Sequence, residues 1–310
     1  MKPKKTYIVA TRPSPLAYTQ TVQVVNLLVE KNPGCDFKII KISTQGDTIT
    51  DQPLTEFEGT GVFVKELEQA ILQGKADFAV NSLKDVPCVQ PNGLILASFP
   101  KREDPRDVFI TRDNKTIQEL HDNCIIGTGS PRRIVQLMTM KPKAIFKALR
   151  GNIGTRLKKL EEGQYDAIVI AAAGLKRLGK TLTESAYLSV SSCLPAIGQG
   201  TIALECKKED QETISLLRSI NDNNTEIAVK AERSFMITIG GGCKYPLAAY
   251  AEINGVLINL SAMTGNLNPF KIHRISNQST IINAEELGKT LAERMITEAG
   301  KMGIKMSDYK

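Results

Sequence analysis

CIIGTGSPRRIVQLMTM (residues 124–140) repeats the plan of YIVATRPSPLAYTQTVQ (residues 7–23). Each opens on a short apolar, β-branched run that reads as a strand. Each then passes through Thr to Ser-Pro, the N-cap and first-turn pair of a helix, and continues amphipathically. The echo extends further, because LKKLEEGQYDAIV (157–169) follows LEQAILQGKADFAV (67–80) as helix, Gly, Asp, strand. FKIIKIST (37–44) reads as the second strand, and FVKELEQAILQG (63–74) as a helix stopped by Gly74. Strand–helix alternation of this kind specifies an α/β fold with a mainly parallel sheet. Its recurrence predicts two α/β lobes with a cleft between them.

From about residue 222 the pattern changes. ERSFMITIGGGC (232–243) through YAEINGVLINLSAMTG (250–265) reads as shorter alternating strands, and AEELGKTLAERMITEAG (284–300) as a terminal helix. The expected domains are residues 1–104 with 197–221, residues 105–196, and a smaller α+β domain over 222–310.

Composition narrows the function. A chain of 310 residues has room for two or three domains, and 42% apolar with 24% charged residues exclude a disordered or fibrous chain. No apolar run approaches the ~18 residues of a membrane span. In the opening MKPKKTYIVATR the apolar part is about four residues long and reads as a strand, not a signal peptide, so a cytoplasmic location is expected. Cys35, Cys88, Cys124, Cys193, Cys206 and Cys243 form no CxxC pair, and His121 and His273 sit in no ligand pattern. Neither a disulfide framework nor a metal site is expected. The net charge is +7, but no basic run is interleaved with aromatics, so nucleic acid is not the expected partner. The excess is either scattered surface lysine or a cavity for a polyanion.

Ligands of open α/β sheets bind beyond the carboxyl ends of the strands. Arg12 follows YIVAT there. Asn81, Ser82, Lys84 and Asp85 follow DFAV, and Thr128, Ser130, Arg132 and Arg133 follow CIIG. Arg150 precedes Gly151 and Asn152, and Arg156 lies a turn into the next helix. Arg132 and Arg133 stand at a helix N-terminus, where the dipole disfavours cations. They are either solvated or matched by an anion, and the guanidinium fork suits carboxylates. No glycine-rich phosphate loop is present. In NSLKDVP, Lys84 and Asp85 are either a surface ion pair or, if the chain turns before Pro87, both directed to the cleft. In the second case Asp85 is the one acid among cations, suited to offset positive charge on a substrate. GGGCKYPLAAY (240–250) is either a turn with Cys243 as a small apolar residue or a loop that presents its thiol.

ATRPSPLA, FVKELE, NSLKDVP, REDPRD, IGTGSPRR, LRGNIGTRL, DAIVIAAAGLKRLG, LPAIGQG and GGGCKYP occur in this order between about residues 7 and 250. In these segments the chain resembles the hydroxymethylbilane synthase (porphobilinogen deaminase) family. The resemblance implies three domains, the first two like type-2 periplasmic binding proteins. It implies a monomeric transferase of porphyrin and haem biosynthesis that condenses four porphobilinogen units, with loss of ammonia, into a linear tetrapyrrole. The cofactor implied is dipyrromethane, joined to Cys243 by a thioether. Asp85 would be catalytic. Lys84, Ser130, Arg132, Arg133 and Arg150 would bind the cofactor. Arg12, Gln20, Ser82, Arg156, Arg177 and Gln199 would bind substrate and growing polypyrrole. A uroporphyrinogen-III synthase is an implied downstream partner.

The sequence departs from the family pattern in places. Asn81 replaces a usual histidine, Gly129 a serine and Pro131 a leucine. Glu56 and Thr60 stand where lysines are usual in the segment 43–63, a candidate lid. These changes leave Cys243 and Asp85 in place and bear on rate and elongation. The alternatives are a divergent member slow in elongation and a non-catalytic anion-binding protein on the same scaffold.

Overall fold

The computed structural model describes residues 5–48, 61–240 and 245–304. Residues 5–103 carry β1 (Lys5–Thr11), α1 (Pro15–Lys31), β2 (Cys35–Lys41), α2 (Gln45–Thr48), α3 (Lys65–Leu72), β3 (Phe78–Ser82) and β4 (Leu94–Ser98). Residues 104–200 carry β5 (Asp107–Thr111), β6 (Ile125–Gly127), α4 (Pro131–Met140), β7 (Ile145–Lys147), α5 (Ile153–Glu161), β8 (Ala167–Ala171) and α6 (Ala172–Arg177). Then come β9 (Ile202–Lys207), α7 (Gln211–Arg218), α8 (Asn223–Ile239), β10 (Leu247–Asn254), β11 (Leu257–Leu267), β12 (Phe270–Thr280) and α9 (Ala284–Lys301). The described residues up to 103 form one compact unit with 201–226, and residues 104–200 form a second with 227–304.

The first unit holds a sheet of order β2-β1-β3-β9-β4, and the second a sheet of order β5-β8-β6-β7. The run β2-β1-β3-β9 matches β7-β6-β8-β5 strand for strand. In each, three parallel strands are followed by one antiparallel strand. Each sheet is thus mainly parallel, with one strand opposed to the rest, β9 in the first and β5 in the second. The reason lies in the chain: each repeat supplies only three strands, and the fourth comes from outside it, β9 after the second repeat and β5 before it.

The same local chemistry fixes both repeats. Asp77 accepts the Ile8 N–H through Oδ2 at 2.6 Å and donates its own N–H to Ile8 O at 2.8 Å. Asp166 does the same with Ile125, at 2.7 and 2.9 Å. Gly74 and Gly163, at φ +70° and +77°, supply the left-handed residue between helix and strand in each copy. Ser14 caps α1 through the Ala17 N–H, and Ser130 caps α4 through the Arg133 N–H, with proline at the first helical position of both.

The second unit also contains an antiparallel sheet of order β10-β11-β12, with α9 packed on it. Here two sequence expectations fail. Residues 232–239 are helical, not strand, because they belong to α8, whose buried Ala228, Val229, Ala231, Phe235, Met236 and Ile239 recur at helical spacing. The strands are also long, with 11 residues each in β11 and β12. Buried Val135 of α4 and Leu194 pack against Ala248 and Met263 of this sheet. Among the described residues no helix is long and apolar enough to cross a membrane.

Two glycines of α9 separate packing from propensity. A Cβ at Gly288 would lie 2.3 Å from the Ala231 carbonyl oxygen and 2.8 Å from the Ser234 side chain, whereas one at Gly300 meets nothing within 4 Å. Gly288→Ala is expected to destabilise the protein by about 1–3 kcal/mol. Gly300→Ala is expected to stabilise it by up to about 1 kcal/mol. Thermal melts of the two variants beside the parent check the opposite signs.

Candidate active site

In the first unit, strand ends and one turn gather four of the residues singled out in the sequence. Arg12, Gln20, Ser82 and Asp85 line one pocket, with Phe63, Val64, Val80 and Asn81. β3 ends at Ser82 and the chain turns at once through a single turn of 3₁₀ helix, Leu83–Asp85. That turn is held by Leu83 N–H to Thr201 O and Val86 N–H to Leu83 O, both 3.0 Å. It brings Asp85 back to the strand end, and Lys84 lies in the same turn. Gln20, almost fully buried on α1, bonds the Ser82 hydroxyl at 3.1 Å.

Arg12 does not approach the pocket as an isolated cation. Asp47 of α2 accepts from its Nη2 at 2.5 Å and its Nε at 3.2 Å, and the guanidinium lies 4.2 Å from the Phe63 ring centroid. Burial opposes the charge on Asp47, but hydrogen bonds and charge from Arg12, together with Thr44, outweigh it and hold the carboxyl below its ordinary value. Asp85 is therefore not the only acid among the cations at these strand ends.

In the second unit the arginine pair finds an anion inside the protein. Asp107, at the start of β5, is fully buried. Its Oδ2 accepts from Arg132 Nη1 at 2.8 Å, and its Oδ1 from Arg133 Nη2 at 2.7 Å and Gln199 Nε2 at 2.9 Å. Arg133 Nη1 also donates to Val169 O at 2.9 Å. Burial raises the cost of ionising Asp107, yet the two guanidiniums more than offset it and hold the carboxyl far below the usual carboxylate range. The two arginines are thus neither solvated nor dependent on a ligand for their first counter-charge. Both are more than nine-tenths buried, and the Nε–H of Arg133 is buried with no acceptor among the described residues.

The remaining candidates lie at nearby strand ends of the same unit. Arg150 precedes Gly151, whose φ is +104°, and Asn152 then caps α5 through the Thr155 N–H. Arg156 donates through Nε to Gly151 O at 2.7 Å, and Arg177, closing α6, to Gly200 O at 2.7 Å. Cys243 and the departures Glu56 and Thr60 lie outside the described residues, as does most of the candidate lid. Of the other cysteines, Cys124, Cys193 and Cys206 are buried, and burial pushes the thiols of Cys193 and Cys206 up to about 12. Those two are poor thiolates.

A family model described as "Porphobilinogen deaminase, dipyromethane cofactor binding domain" matches residues 7–215, and its companion "Porphobilinogen deaminase, C-terminal domain" matches residues 226–297. The chain belongs to the porphobilinogen deaminase family. A porphobilinogen deaminase of Brevibacillus brevis is 43% identical over 291 residues, which cover 94% of each chain. Solved structures give more distant likenesses. The periplasmic VFT2 domain of Bordetella pertussis BvgS is 19% identical, covers 75% of this chain and 92% of its own, and has a TM-score of 0.40. A YaeC-family lipoprotein of Enterococcus faecalis is 14% identical, covers 74% and 97%, and has a TM-score of 0.42. These two are too distant to bear on the site.

The residues present fit the family's cofactor. A dipyrromethane carries carboxylates on both rings and pyrrole N–H groups between them. Taken by itself, the first unit's pocket offers the Arg12 guanidinium for the first and the Asp85 carboxylate for the second, and in the second unit the buried Arg133 Nε–H has no acceptor among the described residues. The departures are accommodated. Pro131 sits where a helix needs no N–H. Gly129 has a negative φ or extended backbone and open space, its would-be Cβ 4.0 Å from the nearest atom. Asn81 is buried and donates to the fully buried Glu205 of β9 at 3.3 Å.

Sequence reasoning missed two acids, Asp47 and Asp107, and Asp107 is the more deeply buried. It closes REDPRD, and its one signal in the sequence is the adjacent pair Arg132 and Arg133, for which the sequence leaves solvation or an anion open and names no acid of the chain. Asp107→Asn leaves two buried guanidiniums without their carboxylate and is expected to cost about 3–5 kcal/mol at neutral pH. Because the folded carboxyl titrates below its unfolded value of about 3.9, the stabilisation is complete above that value and is lost as pH falls below it. Urea unfolding of parent and variant from pH 7 to 3 should show the gap narrowing only at the acid end.

Proposed function

We infer that the protein is a hydroxymethylbilane synthase, a transferase of tetrapyrrole biosynthesis that joins four porphobilinogen units head to tail on a dipyrromethane primer. The observation that carries this is the family match over nearly the whole chain, with a 43% identical porphobilinogen deaminase covering 94% of it. When bound, the dipyrromethane supplies the acceptor carbon to which the first substrate is joined.

The chain's own residues divide the remaining work. Cys243 is assigned as the thioether attachment point, since GGGCKYP is the family segment that carries it. Lys84, Ser130, Arg132, Arg133 and Arg150 hold the cofactor's acidic side chains. Arg12, Gln20, Ser82, Arg156, Arg177 and Gln199 hold those of the substrate and the lengthening product. Asp85, placed by the turn after β3 among hydrogen-bond donors, offsets positive charge at a pyrrole nitrogen as ammonia leaves and the new bond forms. The internal acids Asp47 and Asp107 orient Arg12 and the Arg132–Arg133 pair in advance, so less reorganisation accompanies substrate binding.

The proposed domains are residues 1–104 with 197–221, residues 105–196, and 222–310; the three separate sheets support this division. The enzyme is proposed to be a cytoplasmic monomer whose product passes to a uroporphyrinogen-III synthase.

Two variants test the assignments. Cys243→Ser replaces a thiol by a much weaker nucleophile and should abolish porphobilinogen consumption, whereas Cys35→Ser should retain it. Full activity in Cys243→Ser would exclude that residue as the anchor. Asp85→Asn should lower turnover by at least about a hundredfold, the scale of losing one electrostatic or acid–base group. A loss below about tenfold would place the role elsewhere.

A further inference from the structure

The hydrogen bonds that fix Arg132 do not stop at Asp107. Arg132 Nη1 also donates to Leu194 O at 2.6 Å. Gln136, one turn further along α4 and fully buried, grips Leu194 from both sides. Its Oε1 accepts the Leu194 N–H at 2.7 Å, and its Nε2 donates to Leu194 O at 3.1 Å and to Arg132 O at 3.1 Å. The same Oε1 accepts from Arg274 Nη2 at 2.8 Å. Arg274 belongs to β12, in the C-terminal sheet of this unit, and its guanidinium also donates to Ser191 O and Ser192 O.

Every acceptor of Arg274 in this set is neutral. An arginine on an exposed strand position ordinarily points to water or to a carboxylate. Here the fork spans two backbone carbonyls and one side-chain amide, and it donates to the same amide oxygen that accepts the Leu194 N–H. A buried glutamine can be inverted, exchanging its oxygen for its nitrogen. Leu194 N–H and O already select one orientation of this amide, and Arg274 adds a charged second donor to the same Oε1, holding it in place. The Leu194 carbonyl, which accepts from both Gln136 and Arg132, is thereby braced from the C-terminal sheet, in addition to the hold of Asp107 on Arg132.

We propose that Arg274 is a positioning residue for Arg132, acting through Gln136 and Leu194. The inference rests on the role given to Arg132 under the proposed function, that of holding a carboxylate of the cofactor, the primer against which porphobilinogen must bind. It predicts a change in binding rather than in chemistry, since neither Arg274 nor Gln136 lies at the Asp85 pocket.

Two measurements on the purified full-length enzyme test it. In Arg274→Met, which keeps the stem and removes the fork, the Leu194 amide should exchange with deuterium at least about tenfold faster than in the parent, while amides of β1 and β3 keep their rates. In the same variant KM for porphobilinogen should rise about five- to tenfold, with kcat within about twofold. On an Arg132→Lys background, Arg274→Met should change KM by less than about twofold, because the effect has nothing left to act through. Unchanged Leu194 exchange, or an unchanged KM in the single variant, overturns the proposal, as does full additivity in the double variant. A parental KM in Arg132→Lys alone overturns the role given to Arg132 and the functional half of the proposal with it; faster Leu194 exchange in Arg274→Met would then still mark the link itself as real. If Arg132→Lys does not fold, the exchange rate and the KM of Arg274→Met decide.

Discussion

One buried carboxylate facing two buried guanidiniums organises the second unit. Asp107 is inaccessible to water, as nearly are Arg132 and Arg133, and the three could not be buried separately at any reasonable cost. Their mutual attraction also fixes geometry, because each oxygen of Asp107 has its own arginine. Two positive charges against one negative leave the cluster with a net positive charge beside a helix N-terminus. Such a place suits a polyanion that gains carboxylates with each added pyrrole. Arg12, paired with Asp47 and stacked on Phe63, shows the same device in the first unit. In both, the cation is held by protein before any ligand arrives.

The scaffold explains why these groups fall where they do. Each sheet ends its parallel strands at the same edge of its unit, and each repeat sends a Ser-Pro helix off the first strand. The paired hydrogen bonds of Asp77 with Ile8 and of Asp166 with Ile125 lock the first and third strands of each repeat in equivalent register. Equivalent register places Ser82 and Asp85 after one third strand and Ala172 to Arg177 after the other. The repeat thus supplies matching strand ends, followed by Lys84 and Asp85 in one copy and by Lys176 and Arg177 in the other.

Much of this was legible in the chain because it is local. Ser-Pro caps, glycines at helix ends and alternating apolar runs are read within a few residues, and both α1 and α4 begin where those signals stand. The failures are non-local or periodic. Asp107 meets Arg132 across 25 positions and Gln199 across 92, so no window on the sequence contains both partners. Asp47 meets Arg12 across 35. The C-terminal half of α8 reads as strand in the sequence because SFMITI (234–239) is rich in β-branched and aromatic residues. Burial at helical spacing, from Ala228 to Ile239, overrode that propensity. The turn that presents Asp85 was foreseen only as a condition, and its realisation depends on a distant backbone acceptor, Thr201.

We propose that the strand-end cations serve a covalently held, carboxylate-rich primer anchored on Cys243. Intact mass spectrometry of the purified protein, followed by mapping of the peptide that contains Cys243, tests it most directly. A mass excess equal to one dipyrromethane, confined to that peptide and stable to thiol reductants, is the predicted result. A protein at its bare sequence mass that nonetheless turns over porphobilinogen, or an adduct on a different cysteine, would contradict it.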